Sequence, residues 1–186
     1  MRAEDTAGEW YETRPFAHID PTLPQIQNHF LLGALRAPSR IAVPPLVRAR
    51  RDETAACAFV HVGRGLCGHD GIAHGGLLAS LLDEASARTA LLNLPSNIGV
   101  TARLELDYKA PLRAGRFVVV RTRLLEKKGR KVIVEGSVED VDGSTVYVKS
   151  RAIFVEPKYA KLLGSGEVLK ALGVPPPSSA PGVAKD

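Results

Sequence analysis

Cysteine is scarce in this chain: its 186 residues include two, Cys57 and Cys67. Two cysteines cannot form the disulfide framework of a small secreted domain, and their spacing to the histidines does not match that of a zinc site. The sequence therefore predicts free thiols in an intracellular compartment and no metal centre.

Aromatic residues make up 5% of the chain, and no apolar run approaches the ~20 residues that span a bilayer. The scarcity of aromatics argues against the basic, aromatic platform on which nucleic acids stack, and the short apolar runs predict no stable membrane insertion. Lys and Arg exceed Asp and Glu by five, with clusters at 48–51 and 127–131. Such short basic runs are typical of solvated faces, and they are compatible with an anionic small molecule such as a phosphorylated cofactor.

One helix dominates the pattern. The turn Gly71-Ile72-Ala73-His74-Gly75-Gly76 is followed by good helix formers, with no glycine or proline before Pro95, which predicts a helix over residues 76–92. At 100° per residue, one face suits core packing and carries Leu78, Leu82, Ala85, Thr89 and Leu92. The neighbouring face has small side chains around Asp83 and needs cover, which self-association about a two-fold axis would supply.

Two carboxylates lie next to each other on this helix. Glu84 precedes Arg88 by one turn, which predicts an i,i+4 ion pair at the surface. Asp83 has no such partner in the helix, so it is either solvated, bonded to a neighbouring strand, or functional. His74 has the same ambiguity, because a histidine before two glycines also serves as a helix-entry residue that bonds to backbone.

Strand patterns surround the helix. They occupy residues 55–62, 100–108, 117–125, 131–138 and 145–155, with hairpin turns at Lys127-Lys128-Gly129 and Asp142-Gly143. In 100–108, apolar residues alternate with Thr101, Arg103, Glu105 and Asp107, which places these four on one side. The order predicts an α+β domain over 54–157, in which one long helix is wrapped by an antiparallel sheet of 5–6 strands.

Extensions flank this domain. Residues 1–53 include a short helix near 21–35, while 158–186 include a short helix near 168–172 and a disordered, proline-rich tail.

A set of ordered motifs resembles a known family. The motifs are Gly71-x-x-His74-Gly75-Gly76, Asp83-Glu84, Thr101-x-x-Leu104-x-Leu106-x-Tyr108-Lys109-x-Pro111, Gly129-Arg130-Lys131 and Glu135-Gly136. Over about residues 54–156 they resemble the hotdog-fold acyl-CoA thioesterases, most of all the phenylacetyl-CoA thioesterase and thioesterase-superfamily-member type. That resemblance implies cytoplasmic or mitochondrial hydrolysis of acyl-CoA, with coenzyme A as part of the substrate and no separate cofactor.

The resemblance also implies roles for single residues. Asp83, nine positions after His74, would activate water, and Thr101 would position that carboxylate or the water. The amide of Gly75 or Gly76, at the positive end of the helix, would polarise the thioester carbonyl. Candidate coenzyme A contacts are the basic residues Lys127, Lys128 and Arg130. Sites of this family lie at a homodimer interface, and some dimers pair into tetramers, so Asp83 and His74 would act from different subunits.

One position departs from the family pattern. Relatives carry Asn or Gln about six residues before the histidine, where this chain has Gly68, with His69 as the neighbouring polar alternative. The departure motivates a second hypothesis, a non-enzymatic acyl-CoA-binding or regulatory module on the same fold. A hotdog dehydratase or hydratase ranks last, because the Asp and His spacing of those enzymes is missing.

Overall fold

The computed structural model describes residues 9–17, 19–20, 22–160 and 166–175. The described part of the chain contains nine strands and three α-helices: β1 Trp10–Thr13, α1 Pro24–Gln27, β2 Leu46–Arg50, β3 Ala55–Val62, β4 Cys67–His69, β5 Ile72–Ala73, α2 Gly75–Leu91, β6 Val100–Tyr108, β7 Arg116–Lys128, β8 Lys131–Asp140, β9 Val146–Val155 and α3 Gly166–Ala171. A π-helical turn at Phe30–Ala34 follows α1. The α+β class and the central helix are confirmed.

Seven strands form one antiparallel sheet in the order β1-β2-β3-β7-β8-β9-β6, and β4 pairs with β5 separately. Five strands of this sheet lie within residues 54–157, in agreement with the expected 5–6, and β1 and β2 add two more from the N-terminal extension. In β2, Val47 and Ala49 are buried, while Arg48 and Arg50, which alternate with them, point to the other face. That alternation makes the basic run a half-buried strand rather than a purely solvated face.

Helix α2 packs across this sheet and starts and ends one residue before the predicted bounds. Leu82 is fully buried, and its Cδ2 lies 3.0 Å from where a Cβ on Gly136 would be. A glycine at 136 therefore lets the helix lie close to β8. The main core cluster joins α2 to β3, β7, β8 and β9 and includes Leu78, Val120 and Val148.

Arg88 does not pair with Glu84, so the predicted surface ion pair is wrong. Arg88 is 5% exposed, and its guanidinium donates to Glu53 Oε2 at 3.0 Å and to the Tyr11 hydroxyl at 2.6 Å. The Tyr11 hydroxyl in turn donates to Glu53. Tertiary packing against the N-terminal strand and the β2–β3 turn overrides the local i,i+4 preference, and this buried cluster fastens α2 to the extension.

The short helices predicted in both extensions are present as α1 and α3. The proline-rich tail, whose disorder was predicted, lies outside the described residues. In the part of the chain that the structure describes, neither Cys57 nor Cys67 forms a disulfide. Within the described ranges, no helix is long and apolar enough to cross a membrane.

Candidate active site

Asp83 and Thr101 meet in the folded chain. The Thr101 hydroxyl donates a hydrogen bond of 2.9 Å to Asp83 Oδ1, joining the middle of α2 to the start of β6. Asp83 is half-buried and Thr101 is exposed. Because this bond occupies one carboxylate oxygen, Asp83 is held in a fixed direction while Oδ2 stays available to another group. Of the open alternatives for Asp83, bonding to a strand is therefore realised.

A β-bulge at Ala102 directs Thr101 toward the helix. Thr101 pairs with Phe154, Arg103 pairs with Ile153 and Leu104 pairs with Ala152, so the register shifts between Thr101 and Arg103. Thr101 consequently shares the helix-facing side with Leu104, and its predicted place beside Arg103 was wrong. Bulges commonly re-aim a side chain next to a functional site, as this one does.

His74 caps the start of α2. Its Nδ1 accepts a 2.9 Å hydrogen bond from the Gly76 amide, which confirms the helix-entry role considered for this residue. An accepting Nδ1 places the proton of the neutral imidazole on Nε2.

That cap separates the two candidate glycine amides. The Gly76 N–H is engaged by His74, whereas no acceptor among the described residues takes the Gly75 N–H. The Gly75 carbonyl accepts a 2.9 Å bond from the Tyr108 hydroxyl, which anchors this peptide to the far end of β6. Tyr108 belongs to the quoted motif, but sequence reasoning gave it no role. Gly75 is thus the better placed donor for an external oxygen at the positive end of the helix.

The two halves of the candidate site are apart within one chain. Asp83 lies eight positions after Gly75, and a rise of 1.5 Å per residue puts them about 12 Å apart along the α2 axis. One thioester carbonyl and its attacking water occupy a much shorter span. A single chain therefore presents two half-sites, one at the helix start and one at Asp83.

Gly68 lies directly against the cap. A Cβ at this position would be 2.9 Å from His74 Cδ2, so a side chain there would have to displace the imidazole ring. His69 is exposed, and none of the hydrogen bonds among the described residues links its ring to His74 or Asp83. The His74 ring therefore occupies the space that an Asn or Gln side chain at position 68 would need.

The basic residues proposed for coenzyme A lie at the tip of the β7–β8 hairpin. Lys127, Lys128 and Arg130 are exposed, and Arg130 donates to the Glu156 carbonyl at 3.1 Å. Pairing of Lys131 with Val155, and of Val155 with Val100, places this tip at the sheet end where β6 begins. The positive charges therefore lie at the end of the sheet where β6 begins, close in register to Thr101, and not at the end where Tyr108 contacts the helix start.

Glu84, next to Asp83, has unusual surroundings for a surface helix residue. Burial raises the pKa of its carboxyl above the ordinary value, the nearby His29 opposes that shift, and the Asp83 charge adds to it. No described residue donates a hydrogen bond to this carboxylate. The sequence signal at Glu84 was its i,i+4 spacing to Arg88, which predicted an ion pair that does not form.

Comparison with known proteins identifies the family. Residues 70–147, which contain both half-sites, match the thioesterase superfamily. This chain belongs to the thioesterase superfamily. A mitochondrial protein of Candida albicans is 31% identical over 140 residues, covering 73% of this chain and 63% of that protein. Acyl-coenzyme A thioesterase THEM4 of Mus musculus is 31% identical over 94 residues, covering 50% of this chain and 40% of that enzyme.

A solved structure supports the same family. A thioesterase superfamily protein, RHA08564, has a TM-score of 0.54 and 26% identity, covering 61% of this chain and 54% of that one. The predicted family and the hotdog fold are confirmed. The chain spans about two fifths to two thirds of the length of these relatives.

Proposed function

We propose that this superfamily member hydrolyses acyl-CoA thioesters to the free acid and CoA. The observation that carries the proposal is the hydrogen bond from Thr101 to Asp83, which holds a helix carboxylate in one orientation. Support also comes from the mouse relative, whose name states acyl-coenzyme A thioesterase activity.

In the proposed reaction, Asp83 Oδ2 takes a proton from a water molecule while the oxygen of that water attacks the thioester carbonyl carbon. The carbonyl oxygen becomes an oxyanion, which the Gly75 N–H stabilises at the positive end of α2. Collapse of this intermediate breaks the carbon–sulfur bond and releases the CoA thiolate. A thiolate leaves without much protonation, so this chemistry needs water, a base and a polarised carbonyl, and no cofactor besides the CoA of the substrate.

The separation of the half-sites leads us to propose a homodimer. Asp83 of one protomer would act on a carbonyl held by Gly75 of the other, related by a two-fold axis. The small side chains around Asp83 suit such a contact, and dimers of this kind can pair further into tetramers. Lys127, Lys128 and Arg130 would bind the CoA phosphates near the Asp83 half-site.

We propose a mitochondrial location, because the relative in Candida albicans is named mitochondrial.

A second candidate function, a non-enzymatic acyl-CoA-binding module, is favoured by Gly68. The missing side chain beside His74 removes one polar group that would help hold a water or carbonyl.

Thiol release from acyl-CoAs tests the proposal. We expect the wild type to turn over at least one member of a panel from acetyl to palmitoyl and arylacetyl, and Asp83→Asn to lose at least about a hundredfold in kcat, the loss typical of a missing general base. Asp20→Asn is the matched control, because Asp20 is exposed and bonds Thr22 in its own loop. Saturable binding of acyl-CoA without thiol release would favour the binding module instead.

A further inference from the structure

Three arginines line a cleft at the end of the sheet where β7 begins. The cleft has a volume of about 640 Å³, and we refer to it as the arginine cleft. Its charged residues are Arg64, Arg113, Arg116, Asp70 and Asp140. Because guanidinium groups outnumber carboxylates by three to two, the arginine cleft favours an anionic ligand.

Two of these three guanidinium groups are available to a ligand. Arg116 donates to Asp140 Oδ2 at 3.2 Å and to the Tyr147 hydroxyl at 3.4 Å, so its side chain is engaged in the wall of the cleft. Among the described residues, Arg64 and Arg113 have no side-chain hydrogen bond and no ion pair, and both are exposed. A guanidinium presents N–H donors in a planar fork that matches the oxygens of a phosphate or a carboxylate.

The fold fixes the position of Arg64 beside the turn that leads into β7. The Gly115 amide donates to the Val62 carbonyl at 2.7 Å, which holds this turn against the end of β3, two residues before Arg64. A Cβ on Gly115 would lie 3.7 Å from Arg64 Nε, so the Arg64 side chain contacts the turn directly. The place of Arg64 in the cleft is therefore set by backbone contacts, although its side chain is exposed.

Arg113 connects the arginine cleft to the start of α2. A bridge pairs Arg113 with Ile72 of β5 in antiparallel fashion, and backbone hydrogen bonds flank the bridge on both sides. Directly opposed residues of an antiparallel pair have their side chains on one face, with Cβ atoms about 5 Å apart. Ile72 also lines a second cleft, of about 330 Å³, together with Gly75 and Tyr108. The two clefts therefore adjoin at the pair of Ile72 and Arg113.

The arginine cleft is within reach of a substrate bound at Gly75. Gly71, which lines the cleft, is four positions before Gly75, so their Cα atoms are at most about 14 Å apart. The basic hairpin tip at 127–130 is far from the cleft, because β7 begins at Arg116 and ends at Lys128, a rise of up to about 40 Å. One chain therefore cannot hold a single anionic group with both basic clusters.

Resting on the proposed function, we propose that the arginine cleft binds an anionic group of the thioester whose carbonyl lies at Gly75. Arg64 and Arg113 donate N–H groups to the oxygens of that group. Two parts of an acyl-CoA carry such oxygens: the phosphates of CoA and, when the acyl group is dicarboxylic, the carboxylate at its far end. In either case the cleft orients the substrate, because it holds one end while Gly75 holds the carbonyl.

Replacing both available arginines tests the proposal. Non-hydrolysable thioether analogues of butyryl-CoA and succinyl-CoA are titrated by calorimetry against the wild type and Arg64→Gln/Arg113→Gln. We expect at least one analogue to bind about tenfold or more weakly to the double variant, because hydrogen bonds to a charged group are lost. Arg151→Gln is the matched control, because Arg151 is exposed on β9 and lies outside the cleft. Thermal melting of each variant reports folding.

The pair of analogues identifies the anionic group. An equal loss for both analogues assigns the cleft to a CoA phosphate, and a loss confined to the succinyl analogue assigns it to the acyl carboxylate; either result supports the proposal. Inorganic phosphate is titrated in parallel. If the double substitution weakens phosphate binding alone, the cleft is an adventitious anion site only, and the proposal is overturned. A loss of the same size in Arg151→Gln would show a general effect of charge and would also overturn it.

These titrations separate the inference from the proposed function. If the wild type releases no thiol from any substrate, the proposed function fails, and analogue binding still decides the role of the cleft. If the double variant binds every analogue as tightly as the wild type does, or if the wild type binds no analogue, the inference is overturned. Thiol release by the wild type would leave the hydrolase assignment unaffected in both of these cases.

Discussion

Replacing Arg88 by methionine should destabilise the protein severely. The side chains of Arg88 and Glu53 are 6% and 13% exposed, and the guanidinium also bonds Tyr11 and lies 5.9 Å from the Tyr11 ring. Methionine keeps much of the volume but leaves the Glu53 carboxylate buried without its cation. Breaking a buried pair in this way costs about 3–5 kcal/mol, which corresponds to a melting temperature lower by roughly 6–20 °C in a domain of this size.

Urea and thermal unfolding at fixed protein concentration measure this loss, since dimerisation makes stability depend on concentration. In the double variant Arg88→Met/Glu53→Gln, the loss should be smaller than the sum of the two single losses, because no uncompensated charge remains. Glu84→Gln is the control, because it would cause a similar loss of stability only if Arg88 paired with Glu84 instead of Glu53. A loss below about 1 kcal/mol for Arg88→Met, as is typical of exposed ion pairs, would refute the reasoning.

Two further predictions concern the neighbouring polar groups. Thr101→Ala should lower kcat for acyl-CoA hydrolysis roughly tenfold or more with little change in KM, because a hydrogen bond to a charged group is lost, and Thr101→Ser should restore it; equal losses in both variants would argue against a positioning role. For Glu84, the raised pKa means that the folded state keeps a proton which the unfolded chain loses, so stability falls as pH rises from about the ordinary value of 4.5. Glu84→Gln should therefore gain stability over the wild type between acid and neutral pH in urea unfolding, and a constant difference across that range would contradict the assignment.

Most of the fold follows from periodicity in the sequence. The strands at 55–62 and 100–108 were predicted with their observed bounds, because their turns are clear and their apolar residues alternate. β1 and β2 were missed because they have only four and five residues, too few for an alternating pattern to be recognised. Such short segments become strands when a neighbouring strand supplies the hydrogen bonds, and the sequence does not show which segment will be that neighbour.

Long-range packing decided the features that the sequence did not predict. The alternation in β6 is unbroken in the sequence, so the bulge that turns Thr101 inward is visible in the pairing with β9 alone. Arg88 likewise bonds residues 35 and 77 positions away, where a helix pattern suggested a partner four positions away. The pairing of Asp83 with Thr101 was anticipated through the family resemblance, and the helix pattern by itself left that partner open.

Mixed dimers test the shared active site most directly. Gly75→Pro removes the candidate N–H at the first helical position, where proline is well tolerated, and Asp83→Asn removes the proposed base. Each variant alone should be inactive. Co-expressed, they should recover about a quarter of wild-type turnover, because half of the randomly paired dimers contain one site with both groups intact. A mixed preparation no more active than the separate variants would contradict a site shared between protomers.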